Sequence, residues 1–175
     1  MKNDLPRCNW CGKDAVLIDY HDKEWGKKIK DDNRLFERMT MEVFQAGLSW
    51  KIVLLKREAF KKAFADFDIK KVARFGVRQI DRLMNDKAII RNQRKILATI
   101  FNAKAILKIQ TEYGSFYKFI KQLDTDNNTV EEMKKHFKFM GKETVKCFLM
   151  GSGRVEPDHD KRCFLYKHKN TKAKP

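Results

Sequence analysis

Apolar residues recur three and four apart along most of this chain, a spacing that predicts helices. From Asp31 to about Gly47 the positions Leu35, Phe36, Met39, Val43 and Ala46 form one stripe, with Asp32 or Asn33 placed to cap it and Gly47 to end it. Ser49 opens a second helix in which Trp50, Val53, Leu54, Arg57, Phe60 and Phe64 lie near one side. Shorter patterns cover Ile69 to Phe75 and Val77 to Met84. Asn92 to Tyr113 carries Ile96, Leu97, Ile100, Ala103 and Leu107 without an interior Gly or Pro, which predicts one long helix ending at Gly114. Ser115 restarts the pattern through Phe116, Phe119, Ile120 and Leu123, and Asp124 to Asn128 read as a polar loop. Thr129 with Glu132 makes a capping box for a helix to about Phe137, and a turn around Gly141 leads to a last helix with Val145, Phe148 and Leu149. No segment alternates with the period of a strand, so the fold class is all-α.

The length, 175 residues, suits one domain, expected over residues 1–165, with the basic stretch 166–175 expected as a flexible tail. Charge sharpens the picture: 39 Lys and Arg against 23 Asp and Glu leave +16, which points to a polyanion and to nucleic acid first. No apolar run approaches the roughly 18 residues of a membrane span, and the first residues lack the apolar stretch of a signal peptide. A cytoplasmic location, a monomer and no membrane partner are expected. In that setting Cys8, Cys11, Cys147 and Cys163 read as free thiols or metal ligands ahead of disulfides. There is no Gly-rich phosphate loop, no G-x-S-x-G, no H-E-x-x-H and no H-x-E before P-C-x-x-C, so kinase, dehydrogenase, serine hydrolase, metalloprotease and deaminase readings lack support.

Three constellations could carry chemistry. Glu42 lies three residues after Met39 and seven after Leu35, on the apolar stripe of its helix, and a carboxylate there needs a partner or a task. It is either a paired structural acid or a functional one. Directly after it, Gln45 to Trp50 spell QAGLSW, in which Leu48 beside Gly47 is either an exposed wedge able to enter a base stack or an inward-packed connection. Tyr20 and Trp25 bracket YHDKEWG, where aromatic faces either pack in the core or sandwich a base, most strongly a cationic one. Finally, Cys8 and His21 in one region and His159-x3-Cys163 in another could close a tetrahedral zinc site, with Cys8-x-x-Cys11 competing as a ligand pair. Five donors contend for four places.

Together, RCNW, YHDKEWG, E-x-x-QAGLSW, FKFMG and the late H-x3-C, in this order from about Arg7 to Cys163, resemble the bacterial DNA-3-methyladenine glycosylase I family. The resemblance implies a helix-hairpin-helix-type all-α fold whose structural zinc joins the N- and C-terminal regions through Cys8, His21, His159 and Cys163, leaving Cys11 a bystander. It places the pocket carboxylate on Glu42, the aromatic walls on Tyr20, Trp25 and Trp50, and the DNA-inserting turn on Gln45, Gly47 and Leu48. The phosphate-gripping hairpin falls at about Phe139 to Thr144, around Gly141. The implied reaction flips a methylated base out of double-stranded DNA and hydrolyses its N-glycosidic bond without a Lys Schiff base. Departures from the family pattern are Leu17, Val43, Phe44, Lys142-Glu143 and a shortened segment between Leu123 and Thr129; Phe44 is expected to narrow or reshape the pocket. The alternative is a DNA-binding or lesion-sensing paralogue with little catalysis. A basic RNA-binding protein has only the charge behind it.

Overall fold

A computed structural model describes residues 5–123 and 128–166, and among these every regular element is helical. The predicted loop residues 124–127 and the tail residues 167–175 lie outside the described residues. The helices are α1 (Ala15–Lys23), α2 (Asp32–Gln45), α3 (Trp50–Leu55), α4 (Arg57–Ala63), α5 (Ile69–Val72), α6 (Val77–Asn85), α7 (Gln93–Tyr113), α8 (Phe116–Gln122), α9 (Thr129–His136) and α10 (Lys142–Gly151). None of them is long and apolar enough to cross a membrane.

Polar caps decide where these helices start, and three adjacent residues serve three helices. Asp31, not Asp32 or Asn33, caps α2 by accepting from the Arg34 N–H at 2.9 Å. Asp32 reaches across to the first turn of α8, accepting from the N–H groups of Phe116 (2.8 Å) and Tyr117 (2.9 Å), while Asn33 accepts from Ile69 N–H at the start of α5 (3.2 Å). One polar triplet therefore fixes the relative placement of α2, α5 and α8. The helix expected from Ser49 to Phe64 breaks at Lys56, whose backbone leaves helical geometry while its Nζ donates to the Ala88 carbonyl at 2.7 Å. The capping box expected at Thr129 does not form. Asn128 holds the N-cap position, and Glu132 turns to Lys135 (2.8 Å) and His136 (3.2 Å) instead. The long helix ends as expected, at Gly114, whose φ of 80° suits a residue without Cβ.

Helices α2 and α7 carry the core. α7 packs against α2, α5, α6 and α8, and α10 closes over α2. Phenylalanines fill the space: Phe44, Phe60, Phe64 and Phe67 pack on one side, and Phe116, Phe119, Phe137 and Phe148 on the other. Every residue of α2 from Leu35 to Phe44 is buried. A helix buried on all sides is ordinarily apolar all round, yet this one takes Glu37, Arg38, Thr40 and Glu42 inside. Where those charges find partners, and where they do not, defines the site.

Candidate active site and metal cluster

Two of the three buried charges of α2 are paired. Glu37 accepts from Arg57 Nε at 2.6 Å, and Arg57 also binds Glu24 at 2.7 Å. Arg38 donates to the Tyr20 hydroxyl at 2.6 Å, lies 3.7 Å from Glu24, and sits over the rings of Tyr20 (4.8 Å to the centroid) and Trp50 (5.5 Å). Glu42 is different: only 5 % exposed, its carboxylate has no hydrogen-bond or ion-pair partner among the described residues. Burial pushes its pKa from 4.5 up to about 7, against the opposing pull of the Arg38 charge. A Cβ on Gly151, at the end of α10, would lie 3.5 Å from Glu42 Oε1 and 3.2 Å from Arg38 Cδ, so a glycine leaves room over the pair. The rings of Tyr20 and Trp50 meet edge to face at 5.2 Å, and the buried Trp50 Nε1 has no acceptor among the described residues. A carboxylate and an indole N–H with unspent hydrogen-bonding capacity are thus gathered near two aromatic rings that Arg38 overlies. Such a place suits a flat, hydrogen-bonding, positively charged ligand.

The turn after α2 is exposed and held from behind. Gly47 adopts φ +81° with open space around it, Leu48 is 38 % exposed, and Gln45 donates its side-chain amide to the Leu48 carbonyl at 3.0 Å. Lys95 of α7, itself buried, donates Nζ to the carbonyls of Phe44 (3.0 Å) and Ala46 (2.6 Å). The second turn, between α9 and α10, runs through Phe139, which is exposed and left-handed at φ +59°, to Gly141 at the N-cap of α10. No side chain caps α10, which leaves first-turn N–H groups without a side-chain acceptor.

Cys8, His21, His159 and Cys163 come together, their ligand atoms all within 4.8 Å of one another. Cys8 Sγ lies 3.4 Å from His159 Nδ1, and Cys163 Sγ lies 3.4 Å from His21 Nε2 and 3.5 Å from His159 Nδ1. Outer contacts orient them: His21 Nδ1 meets Asp22 at 2.8 Å, Arg7 clamps Asp22, and the N–H groups of Asp160 and Leu165 donate to the two sulfurs. This cluster can hold a metal ion. Cys11 is buried nearby, its thiol pushed up to about 12 by burial, and is not one of the four.

The sequence-predicted residues separate into these groups. Glu42, Tyr20 and Trp50 adjoin one another through Arg38, whereas the Trp25 ring packs against Trp10 (5.1 Å), His159 (4.7 Å) and His21 (5.8 Å), and Trp25 meets Tyr20 through its backbone N–H, which donates to the Tyr20 carbonyl at 2.9 Å. Phe44 does not shape the site. It lies about 200° around α2 from Glu42 by helical geometry, fully buried on Phe60 at 4.5 Å, and Val43 is likewise core. Four residues escaped the reading of the sequence: Arg38, Trp10, Lys95 and Asn102. Arg38 had a signal, because it shares the α2 stripe with Glu42 one turn away. Trp10 stood within RCNW without a role, and nothing in their own surroundings marked Lys95 and Asn102.

Comparison with known proteins places this all-α architecture among base-excision enzymes. A family model of methyladenine glycosylases matches residues 10–136. The DNA-3-methyladenine glycosylase of Haemophilus influenzae is 36% identical over 90% of this chain and 96% of its own, and DNA-3-methyladenine glycosylase 1 of Escherichia coli is 34% identical over 93% and 97%. Among solved structures, 3-methyladenine DNA glycosylase I from Staphylococcus aureus superposes with a TM-score of 0.83 at 34% identity, covering 93% of this chain and 100% of that one. A variant of 3-methyladenine DNA glycosylase I in complex with 3-methyladenine gives 0.81 at 34% identity, over 90% and 95%. The fold is that of an all-helical DNA glycosylase. The chain belongs to the DNA-3-methyladenine glycosylase I family.

Proposed function

We infer that this chain is a monofunctional DNA-3-methyladenine glycosylase, acting as a monomer on alkylated duplex DNA through a helix-hairpin-helix domain spanning residues 1–165. It hydrolyses the N-glycosidic bond of the methylated nucleotide and leaves an abasic site. The observation that supports the residue assignment is Glu42: a buried carboxylate without a protein partner, beside Trp50 and Tyr20. N3-methylation makes the adenine ring cationic, so the leaving group is activated before it binds. As the C1′–N9 bond breaks, its electron pair neutralises the ring, water adds to C1′ of an oxocarbenium-like sugar, and the water's proton passes to solvent. The protein then needs little general acid; selection of the base falls to binding. Ionised Glu42 accepts hydrogen bonds from the adenine edge and balances its charge, while Trp50 and Tyr20 present ring faces and edges to it. A cation in the pocket favours the carboxylate form and so draws the Glu42 pKa down from about 7. Trp25 backs Trp10 at the rim.

In the same reading Leu48 fills the gap left by the extruded base, with Gln45 and Gly47 shaping its turn, and the N–H groups after Gly141 grip a phosphate. The four-residue cluster fits zinc: Zn–S of about 2.3 Å and Zn–N of about 2.0–2.1 Å at tetrahedral angles put S and N ligands about 3.5 Å apart, matching the 3.4 and 3.5 Å separations. Four protein ligands make a closed site, so zinc supplies a cross-link. Cys8, His21, His159 and Cys163 thereby anchor α1, and with it Tyr20. Release of free bases from methylated duplex DNA, followed by chromatography, tests the reading. Wild type should release 3-methyladenine and Glu42→Gln should lose nearly all of it. Folded, DNA-binding protein that releases none would move the assignment to a lesion-sensing paralogue.

A further inference from the structure

The two turns assigned to DNA are each fastened from behind by one buried polar side chain, and both side chains belong to α7. Lys95 Nζ holds the carbonyls of Phe44, in the last turn of α2, and of Ala46, the residue that follows α2 into the insertion turn. Asn102, buried, donates Nδ2 to the Lys138 carbonyl at 3.1 Å and accepts from the Lys138 N–H at 2.8 Å, where the hairpin turn begins. Seven residues separate them, two helical turns, so they share a face about 10.5 Å apart. Outside that face the hairpin is further clasped to α7, with Lys138 Nζ over Phe101 (5.1 Å) and Arg94 over Phe139 (6.0 Å). A buried ammonium is an expensive cap for two carbonyls, and desolvation lowers its pKa. Neither residue reaches Glu42 or the aromatic faces, so base recognition does not account for them.

We propose that Lys95 and Asn102 are positioning residues that make α7 a fixed spacer between the insertion turn and the phosphate-gripping hairpin, so that DNA meets wedge and grip as one preformed surface. This rests on the reading of the two turns as DNA contacts. Wedge and grip then act in order: a phosphate held by the hairpin sets where Leu48 enters the stack.

A duplex carrying a stable abasic-site analogue with 2-aminopurine beside it reports insertion by fluorescence, independently of any excision. K95M should bind it within about threefold of wild type yet lose the insertion signal at saturation, as L48A should. N102A should bind about tenfold more weakly, the order expected for losing a paired buried hydrogen bond, and lose signal at wild-type working concentration. N102D, which keeps the acceptor for the Lys138 N–H, should fall between. T99A, on the same buried stripe but touching neither turn, should match wild type in both readouts. Full insertion by K95M at saturation overturns the proposal. So does a loss in K95M or N102A that merely follows the unfolded fraction seen by circular dichroism. If the chain inserts but releases no 3-methyladenine, the glycosylase reading fails and the spacer stands; release without a Lys95-dependent insertion signal fails the spacer alone.

Discussion

The Cys8/His21/His159/Cys163 cluster and the Glu42 site are both buried polar constellations within the same small protein, and they are satisfied to opposite degrees. In the cluster each ligand atom faces another, and Asp22, Arg7 and two backbone N–H groups complete the outer contacts. Around Glu42, the carboxylate, Trp50 Nε1 and Arg38 Nε have no hydrogen-bond partner among the described residues. A satisfied constellation costs little to keep and works for the fold. An unsatisfied one is tolerated where a ligand completes it, because an unpaired buried polar group costs about 1–3 kcal/mol and more if charged.

That contrast can be broken by moving each site's effect into the other's readout. The largest expected effect is Cys163→Ser. On the proposal that the cluster holds zinc, whose binding is worth about 10–16 kcal/mol in small domains, losing one of the four donors should lower Tm by more than about 10 °C. Calorimetry with metal analysis checks this, and excision measured well below the transition should stay within a few fold of wild type. Glu42→Gln should do the reverse, cutting single-turnover excision by about a hundredfold or more without lowering Tm. Its stability should also respond to pH. The folded protein keeps a proton on Glu42 that the unfolded chain gives up between pH 4.5 and about 7, so wild-type stability falls as pH rises through that window, by up to roughly 3 kcal/mol. Glu42→Gln has no such proton, and its melting advantage over wild type should be larger at pH 8 than at pH 5. Trp50→Leu should cost excision about tenfold through weaker base binding, seen as a change in half-saturating substrate. Smallest is Gly151→Ala: its Cβ meets Arg38 Cδ at 3.2 Å, so Arg38 must yield slightly and excision should change by no more than about threefold.

What the sequence revealed follows from range of interaction. Helix spacing and the stop at Gly114 are local, and they were legible. Glu42 stood out because a carboxylate interrupts an apolar stripe, an anomaly visible within one helix. The four residues of the Cys/His cluster were visible as candidate metal ligands, but the choice against Cys11 came from family resemblance, since spacing alone left five donors for four places. Capping failed where a side chain served another helix: Asp32 and Asn33 looked like caps for α2 and instead hold α8 and α5. Phe44 misled in the opposite sense. Sequence adjacency to Glu42 suggested a pocket wall, whereas helical geometry turns it onto Phe60 and Phe64. Lys95 and Asn102 act on backbone 49 and 36 residues away, and no local pattern announces such a contact.

The cluster also bears on how the site is made. His21 neighbours Tyr20 on α1, and its partner Cys163 lies 142 residues later. On the ribosome, Tyr20, Glu42 and Trp50 therefore emerge long before the cysteine that meets α1 at His21. A nascent chain carries these three residues before the contacts of His159 and Cys163 with α1 can form, because both lie after α10, the last of the described helices.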